Sequence, residues 1–600
     1  MKLARKLTRR LALPVLSLTA VAAALLLVAG CDSALDTEPT NVISEEQVFE
    51  DEALADAYLN DIYTRVSFAR DGFNDLPYER SFNQMLYPAM GAELRPRGSF
   101  QAPYGAANAT IDADGPPTPI EYWKYPALRE ANDFIEQIAA SDNLDEDFVN
   151  QRRAEARFLR AFMYFEMARR YGAVPLITTA QDADTPRDSL LVERTPEQEM
   201  YDFVISETDA IADVLPQTVG GDGRPTRWAA LSLQSRAALQ AASVGEFGDM
   251  KLDGLLGVPD SETQDYWQTA FDAADAVIEN SGHSLYRASS DPAENFQALF
   301  IDEGNSEGIM YEKFNGVQKG HDYTRMAMPA GFAETWGSNF NPFLRMMEKF
   351  EFADGSPYDI SRDELTSQQW TVDELFKSRD PRFRASFFYP ESDWQDGTVY
   401  FHSATRVDGQ LVSSGTVGED FPASGPTRNT TRTGFHVRKR VDEGDVVTVE
   451  TDADDTDIFI FRLAELYLNR AEAAYYLGNQ SQALSDINEI RDRAGMPPKD
   501  EATVENIRNE RNVELAFEGF HYWDLRRWRT AEEVLGGLRT KGLDYTYDLN
   551  SGKYEISLVN AEGDARTFQE RHYYLPLGTE KLADNPNLVE NPGYASGGGS

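Results

Sequence analysis

Glu155-Ala156-Arg157-Phe158-Leu159-Arg160-Ala161-Phe162 sits inside the stretch whose reading decides the fold. From Gln151 to Tyr171 the apolar residues Phe158, Ala161, Phe162 and Phe165 recur at i, i+3, i+4 and i+7. That spacing places them on one face of a helix. Gly172 ends the run and Pro175 confirms the stop. Thr195-Pro196-Glu197 opens a second helix with a capping hydroxyl, a proline at the first position and an acid in the first turn. It runs to Leu215 and stops at Pro216; Thr226 to Ala242 and Tyr266 to Asn280 repeat the pattern.

Helical periodicity then lapses and returns near Ile458. Arg462 to Leu477 ends at Gly478. Gln480 to Ala494 carries Ala483, Ile487, Ile490 and Ala494 on one face and ends at Gly495, with Pro497 beyond. Ala471, Ala473 and Ala474 let two antiparallel helices approach before the glycine turn, a tetratricopeptide-like spacing. Thr503 to Glu533 is the last long helical block, broken near Gly519. The spacing predicts a mainly α protein on a helix-pair scaffold. Two stretches lack helical period. Residues 71–120 are rich in Gly, Pro and aromatics, and 282–457 carry turn signals and short alternating runs such as Gly434-Phe435-His436-Val437.

At the N-terminus Lys2, Arg5, Lys6, Arg9 and Arg10 precede an apolar run, Leu11 to Ala29, broken by Ser17 and Thr19. Val28-Ala29-Gly30 then leads into Cys31, the single cysteine of the chain. This is the pattern of a bacterial secretory signal with a lipobox, in which the thiol is alkylated and cleavage leaves Cys31 as a lipidated N-terminus. An uncleaved membrane anchor would fit the length of the run. Twin-arginine export would fit Arg9-Arg10, but Leu11-Ala12-Leu13 continues that signal poorly. The organisation expected is a signal peptide at 1–30, a tether at 31–45, and an N-terminal helical scaffold at 46–281 with a loop insertion at 71–120. A loop-rich ligand-binding part at 282–457, C-terminal helical repeats and tail at 458–594, and a flexible Gly/Ser end at 595–600 follow.

The hydrophobic content of 41% is enough for real cores. The formal charge is −43, and loss of the five cations of 1–30, which carry no acid, brings it to about −48. Such a body repels polyanions, which argues against nucleic-acid binding. Once Cys31 is lipidated no thiol remains for a disulfide or a cysteine metal site.

Taken in order, the motifs resemble the SusD/RagB-like outer-membrane lipoproteins. They begin with Cys31 through Pro39 and continue with Glu155 to Phe162 and Tyr171-Gly172-Ala173-Val174-Pro175. Asn305-Ser306-Glu307-Gly308-Ile309, Arg379-Asp380-Pro381-Arg382-Phe383 and Arg462-Leu463-Ala464-Glu465-Leu466 follow. Then come Ile490 to Gly495, Glu514 to Gly519, Asp524-Leu525-Arg526-Arg527-Trp528, and a tail of Tyr574-Leu575-Pro576-Leu577 and Asn591-Pro592-Gly593-Tyr594. The resemblance implies a lipid-anchored protein at the outer-membrane surface that caps a TonB-dependent, SusC-like β-barrel transporter. It implies a tetratricopeptide-like scaffold with an irregular subdomain, a bound oligosaccharide or peptide, no cofactor and no catalysis.

Sugar rings pack their C–H faces on exposed aromatics, with polar groups fixing the hydroxyls. In the irregular stretches Arg95, Tyr104 and Trp336 are the candidates, with Tyr323 and Asn339 close to Trp336 in sequence. Arg157, Glu465, Arg491, Arg511, Glu518, Asp524 and Arg526 read as ion pairs and caps joining helices. Glu514 and Glu518, one turn apart, would be the place for a carboxylate pair, but helix faces carry such pairs routinely. Asp112-Ala113-Asp114-Gly115 and Asp452-Ala453-Asp454-Asp455 lack the spacing of a calcium loop, and no metal is expected. A secreted glycoside hydrolase and a peptide-binding tetratricopeptide adaptor are the rival readings.

Overall fold

The computed structural model describes residues 45–66, 68, 85–96, 111–116, 120–182, 184–218, 223–316, 319–329, 331–332, 337–395, 397–418, 421–425, 431–444 and 454–594. Cys31, the expected leader at 1–30 and all of the expected tether except Glu45 lie outside these. The scaffold helices are α1 (Glu52–Val66), α2 (Tyr125–Ala139), α3 (Glu146–Tyr171), α4 (Glu197–Ala212), α5 (Arg227–Phe247) and α6 (Thr263–Asn280). They continue as α7 (Leu463–Tyr476), α8 (Gln480–Arg493), α9 (Val504–Glu514) and α10 (Phe520–Arg527). From α1 to α9 each helix packs on the next. This holds across the widest gap too: α6 ends at Asn280, α7 starts at Leu463, and the two lie side by side. The intervening residues are therefore an excursion spliced into a serial helix stack, which is why helical periodicity lapses and then resumes.

Local chemistry sets the helix ends. The Asp145 carboxylate accepts from the amides of Asp147 at 3.0 Å and Phe148 at 3.3 Å, capping α3. At its other end Gly172 has φ 72°, and an added Cβ would sit 2.5 Å from Leu256 Cδ2, so glycine is required both by conformation and by space. Helix α5 is buried nearly all round and is lined with small residues, among them Ala230, Ala237, Ala238, Ala241 and Ala242. These let α4 and α6 close on it. An Ala238→Leu change should overpack this contact and cost about 1–3 kcal/mol, read as a lower thermal midpoint.

The strands used below are β1 (Leu94–Pro96), β2 (Gly308–Glu312), β3 (Phe340–Pro342), β4 (Gln369–Trp370), β5 (Ala404–Val407), β6 (Gln410–Val412), β7 (Ile458–Arg462), β8 (Lys541–Asp548) and β9 (Lys553–Asn560); among the described residues six further strands of two or three residues lie between Phe387 and Val437. One sheet runs in the order β4-β9-β8-β5-β6, antiparallel except where β8 meets β5. Strand β7 pairs antiparallel with β2 and runs straight into α7, stitching the excursion to the scaffold.

Two features depart from the sequence reading, and the break expected near Gly519 is in place. The β8–β9 hairpin lies in the C-terminal stretch read as helical, and it joins strands from residues 369–412, so this sheet crosses the division expected at 457. Residues 71–120 hold a short helix, Leu86–Met90, and β1. The block Thr503 to Glu533 is α9, α10 and a short helix Ala531–Leu535; it breaks where Phe517 and Gly519 adopt φ of 63° and 86°. Among the described residues no helix is long and apolar enough to cross a membrane.

The charged motif residues join elements. Arg157 meets Glu207 at 2.8 Å, Arg236 meets Glu465 at 2.6 Å, Arg491 meets Glu510 at 3.0 Å and Arg511 meets Asp524 at 2.8 Å. Arg526 donates to the Tyr573 carbonyl at 2.6 Å. At the centre the buried Glu514 carboxylate accepts from Arg462 at 2.7 Å, from Arg382 at 3.0 Å and from Arg493. Glu518 accepts from Arg462 and from Lys439, each at 2.7 Å. Every oxygen of this carboxylate pair is held by a cation.

Candidate ligand-binding site

Strands β1 and β3 form an antiparallel ribbon that sets Arg95 opposite Asn341 and Pro96 opposite Phe340. Two irregular stretches, more than two hundred residues apart in sequence, thus meet side by side. Asn341 locks the ribbon: its side-chain amide donates to the Ser338 carbonyl at 3.0 Å, and its oxygen accepts from the Arg432 amide at 3.0 Å. The loop before β3 is pinched at its base, where the Ser338 amide donates to Met328 O at 2.8 Å and the Asn339 amide to Met326 O at 3.0 Å. Gly337 and Ser338 close it with φ of 92° and 54°.

Arg95 is half-buried on this ribbon. Its Nε donates to Pro96 O at 3.2 Å and its guanidinium also reaches Ala561 O. Burial lowers its pKa, and the charge of neighbouring Arg432 lowers it further. Tyr323 and Asn339 are placed differently from the exposed role expected of them. Tyr323 is 1% exposed, donates its hydroxyl to Lys439 O at 2.9 Å, and lies under the Arg440 guanidinium. Asn339 is 3% exposed and spends its amide on Met326 O and Gly337 O. Both shape the loop from inside and present no surface to a ligand. Tyr104 and Trp336 lie outside the described residues. Phe332, which the sequence reading did not single out, is 37% exposed; a Cβ on Gly397 would sit 2.6 Å from its ring. Its aromatic character, four positions before Trp336, is the signal that the sequence offers.

A second feature is a half-open cleft of about 130 Å³ between α3, α5, α10 and β7. Its rim holds the half-buried rings of Phe68, Tyr87, Phe459 and Phe520, and Phe162 and Trp523 lie deeper. Arg169 and Arg236 also line it.

Close to the ribbon lies Glu93, fully buried. Its backbone carbonyl accepts from the Phe343 amide at 2.9 Å. One carboxyl oxygen accepts from the Phe517 amide at 3.0 Å, and the other has no hydrogen-bond partner. Burial pushes this carboxyl up to about 7, against the pull of the Phe517 amide, Lys439 and Arg345. Among the described residues no group of three His, Cys, Asp or Glu side chains is disposed to hold a metal ion. The Asp112 carboxylate caps its own turn through the Asp114 amide at 3.0 Å.

A serial helix stack with a spliced excursion defines the class, and the comparisons give it a family. Residues 306–594 match the model of the SusD family, and 100–239 match one described as starch-binding associating with outer membrane. The chain belongs to the SusD/RagB-like family. It is 24% identical over 585 residues to SusD-like protein P2 of Formosa agariphila, covering 95% of this chain and 98% of that one. It is 24% identical over 473 residues to the starch-binding protein SusD of Bacteroides thetaiotaomicron, covering 78% and 76%. The crystal structure of a SusD-like protein from Bacteroides fragilis superposes with a TM-score of 0.71 at 23% identity, over 93% of this chain and all of that one. A laminarin-binding SusD-like protein superposes with a TM-score of 0.59 at 19% identity, over 90% and 99%.

Proposed function

We propose that this chain is a lipid-anchored protein of the outer-membrane surface that binds a nutrient glycan and hands it to a TonB-dependent, SusC-like transporter, without chemistry of its own. The observation that carries the ligand reading is the β1–β3 ribbon. It sets Arg95 beside the 337–341 turn, and the segments flanking the two strands carry Tyr104 and Trp336. Sugar C–H faces pack on aromatic rings, and Tyr104 and Trp336 are the aromatic candidates that the sequence supplies in these segments. The anchor reading rests on Cys31 and the basic, apolar leader before it. Relatives described as binding starch and laminarin support a glycan as ligand.

A glycan array on the full chain identifies the ligand, and pull-down from solubilised outer membrane should recover a large β-barrel. Trp336→Ala is then expected to weaken binding of the array hit by about tenfold or more, with Tyr104→Ala close behind. Unchanged affinity in both variants would remove the ribbon as the site, and shortened glycan after incubation would show an enzyme. Cys31→Ser should release the protein from the membrane fraction.

A further inference from the structure

The cleft between α3, α5, α10 and β7 holds two guanidinium groups of one design. Arg169 lies over the Trp523 ring at 4.2 Å, and its Nε and Nη2 both donate to Glu166, at 3.1 and 2.6 Å. Arg236 lies over the Phe461 ring at 4.2 Å, its Nε and Nη2 donate to Glu465 at 2.7 and 2.6 Å, and Nη2 donates also to the Ile460 carbonyl at 2.8 Å. In each case an aromatic face and one carboxylate fix the guanidinium plane, with the Ile460 carbonyl as a further acceptor at Arg236. In each case Nη1 makes no hydrogen bond within the described residues. Both side chains keep a little exposure, 15% and 13%. The two carboxylates in the cleft wall are already occupied: Glu166 by Arg169 and Arg170, Glu518 by Arg462 and Lys439.

We infer that this cleft is an acid-sugar subsite: Arg169 and Arg236 take the carboxylate of a uronic acid residue while Phe459 and Phe520 pack on its ring. Unsatisfied N–H donors of a preorganised guanidinium are matched by a carboxylate better than by a neutral hydroxyl, since charge-assisted hydrogen bonds are the stronger class. The half-buried aromatic rim supplies the apolar wall that a pyranose face needs. The volume of about 130 Å³ suits one ring and not a chain. Burial, and the repulsion of Arg170 and Arg236, depress the pKa of Arg169, so an anion here relieves an existing cost. The inference rests on the glycan reading for the body of the ligand, but on residues separate from the ribbon.

The test is calorimetric titration of the full chain with oligogalacturonate and with its methyl ester. The acid form should bind, and the ester should bind about tenfold more weakly or worse. Arg236→Lys and Phe459→Ala should each weaken the acid form by about fivefold or more, while Lys377→Ala, at an exposed ion pair, leaves it unchanged. In the unmutated chain, oligogalacturonate should protect Arg236 from phenylglyoxal, a readout that does not depend on any variant folding. Absence of binding, equal affinity for acid and ester, or no protection of Arg236 each overturns the inference. Loss of acid binding in Trp336→Ala with the cleft variants unaffected also overturns it and assigns the ligand to the ribbon. Acid binding at the cleft, with no glycan sensitive to Trp336→Ala, overturns the ribbon reading alone.

Discussion

Glu514→Gln is expected to destabilise the protein by about 3–5 kcal/mol, the cost of breaking a buried ionic cluster from one side. Glu514 is fully buried, and its two oxygens serve Arg462, Arg493 and Arg382. Those guanidinia also share Glu307, Glu510, Glu518 and Asp380, so the cluster has many partners but a fixed charge balance. Glutamine keeps one acceptor oxygen and turns an N–H₂ group toward a guanidinium, leaving a buried positive charge uncompensated. Burial alone would raise the Glu514 pKa; Arg493, Arg462 and Arg382 outweigh it and hold the carboxyl far below the usual range. A carboxylate with a lowered folded-state pKa stabilises fully above its unfolded value near 4.5 and loses that contribution as pH falls toward the folded one. The difference between Glu514→Gln and the parent chain should therefore be flat from neutral pH down to the mid-acid range and shrink only below it. The exposed pair Lys377–Asp373 is the control: Lys377→Ala should cost under about 1 kcal/mol. Urea unfolding of both variants decides the matter, and a Glu514→Gln loss no larger than the control's would end the argument.

The same cluster shows where sequence reading stops. The helices were legible because a helix writes itself locally: Phe158, Ala161, Phe162 and Phe165 share a face, Asp145 caps, Gly172 terminates. That Arg157, Glu465, Arg491 and Arg511 join elements was legible from their place on helix faces. Their partners were not, because Arg382 and Glu514 meet across 132 positions and no local signal spans that gap. The ribbon follows the same rule. Arg95 and Asn341 pair through backbone groups that every sequence carries, so only the fold can bring them together. Residue type also says little of direction. Tyr323 and Asn339 lie near Trp336 in sequence, yet both point inward, because the pinched loop needs its own polar groups satisfied. The hairpin β8–β9 was readable in principle, since Leu543, Tyr545 and Tyr547 alternate with period two.

Glu93→Gln should do the opposite of Glu514→Gln and stabilise the protein at alkaline pH, by up to about 3 kcal/mol. Glu93 is buried at the entry to β1, with one carboxyl oxygen unpartnered. Its surroundings mix signs: Lys439 and Arg345 favour the charged form, Asp524 opposes it, and the Phe517 amide holds one oxygen. Desolvation outweighs the favourable contacts and raises the folded-state pKa from 4.5 to about 7. A raised carboxyl contributes stability that is complete below the unfolded pKa and is lost as pH rises through the folded one. The parent chain should therefore weaken relative to Glu93→Gln between about pH 4.5 and 7 and stay weaker above. Glutamine is neutral throughout and keeps the acceptor for Phe517, so its own contribution carries no such slope. Thermal midpoints of the two proteins across that range give the comparison directly. Parallel curves would mean that Glu93 is ionised in the folded protein at every pH tested, and that an unseen partner, such as a water on its second oxygen, satisfies it. Divergence would place a protonated carboxyl two residues from Arg95, at the root of the strand that carries the proposed ligand site. Ionisation there would act on the ribbon first, because the Glu93 carbonyl accepts from the Phe343 amide and extends the β1–β3 pairing. Amide exchange at Arg95 and Asn341 should then quicken above neutral pH in the parent chain beyond its intrinsic rise, and not in Glu93→Gln.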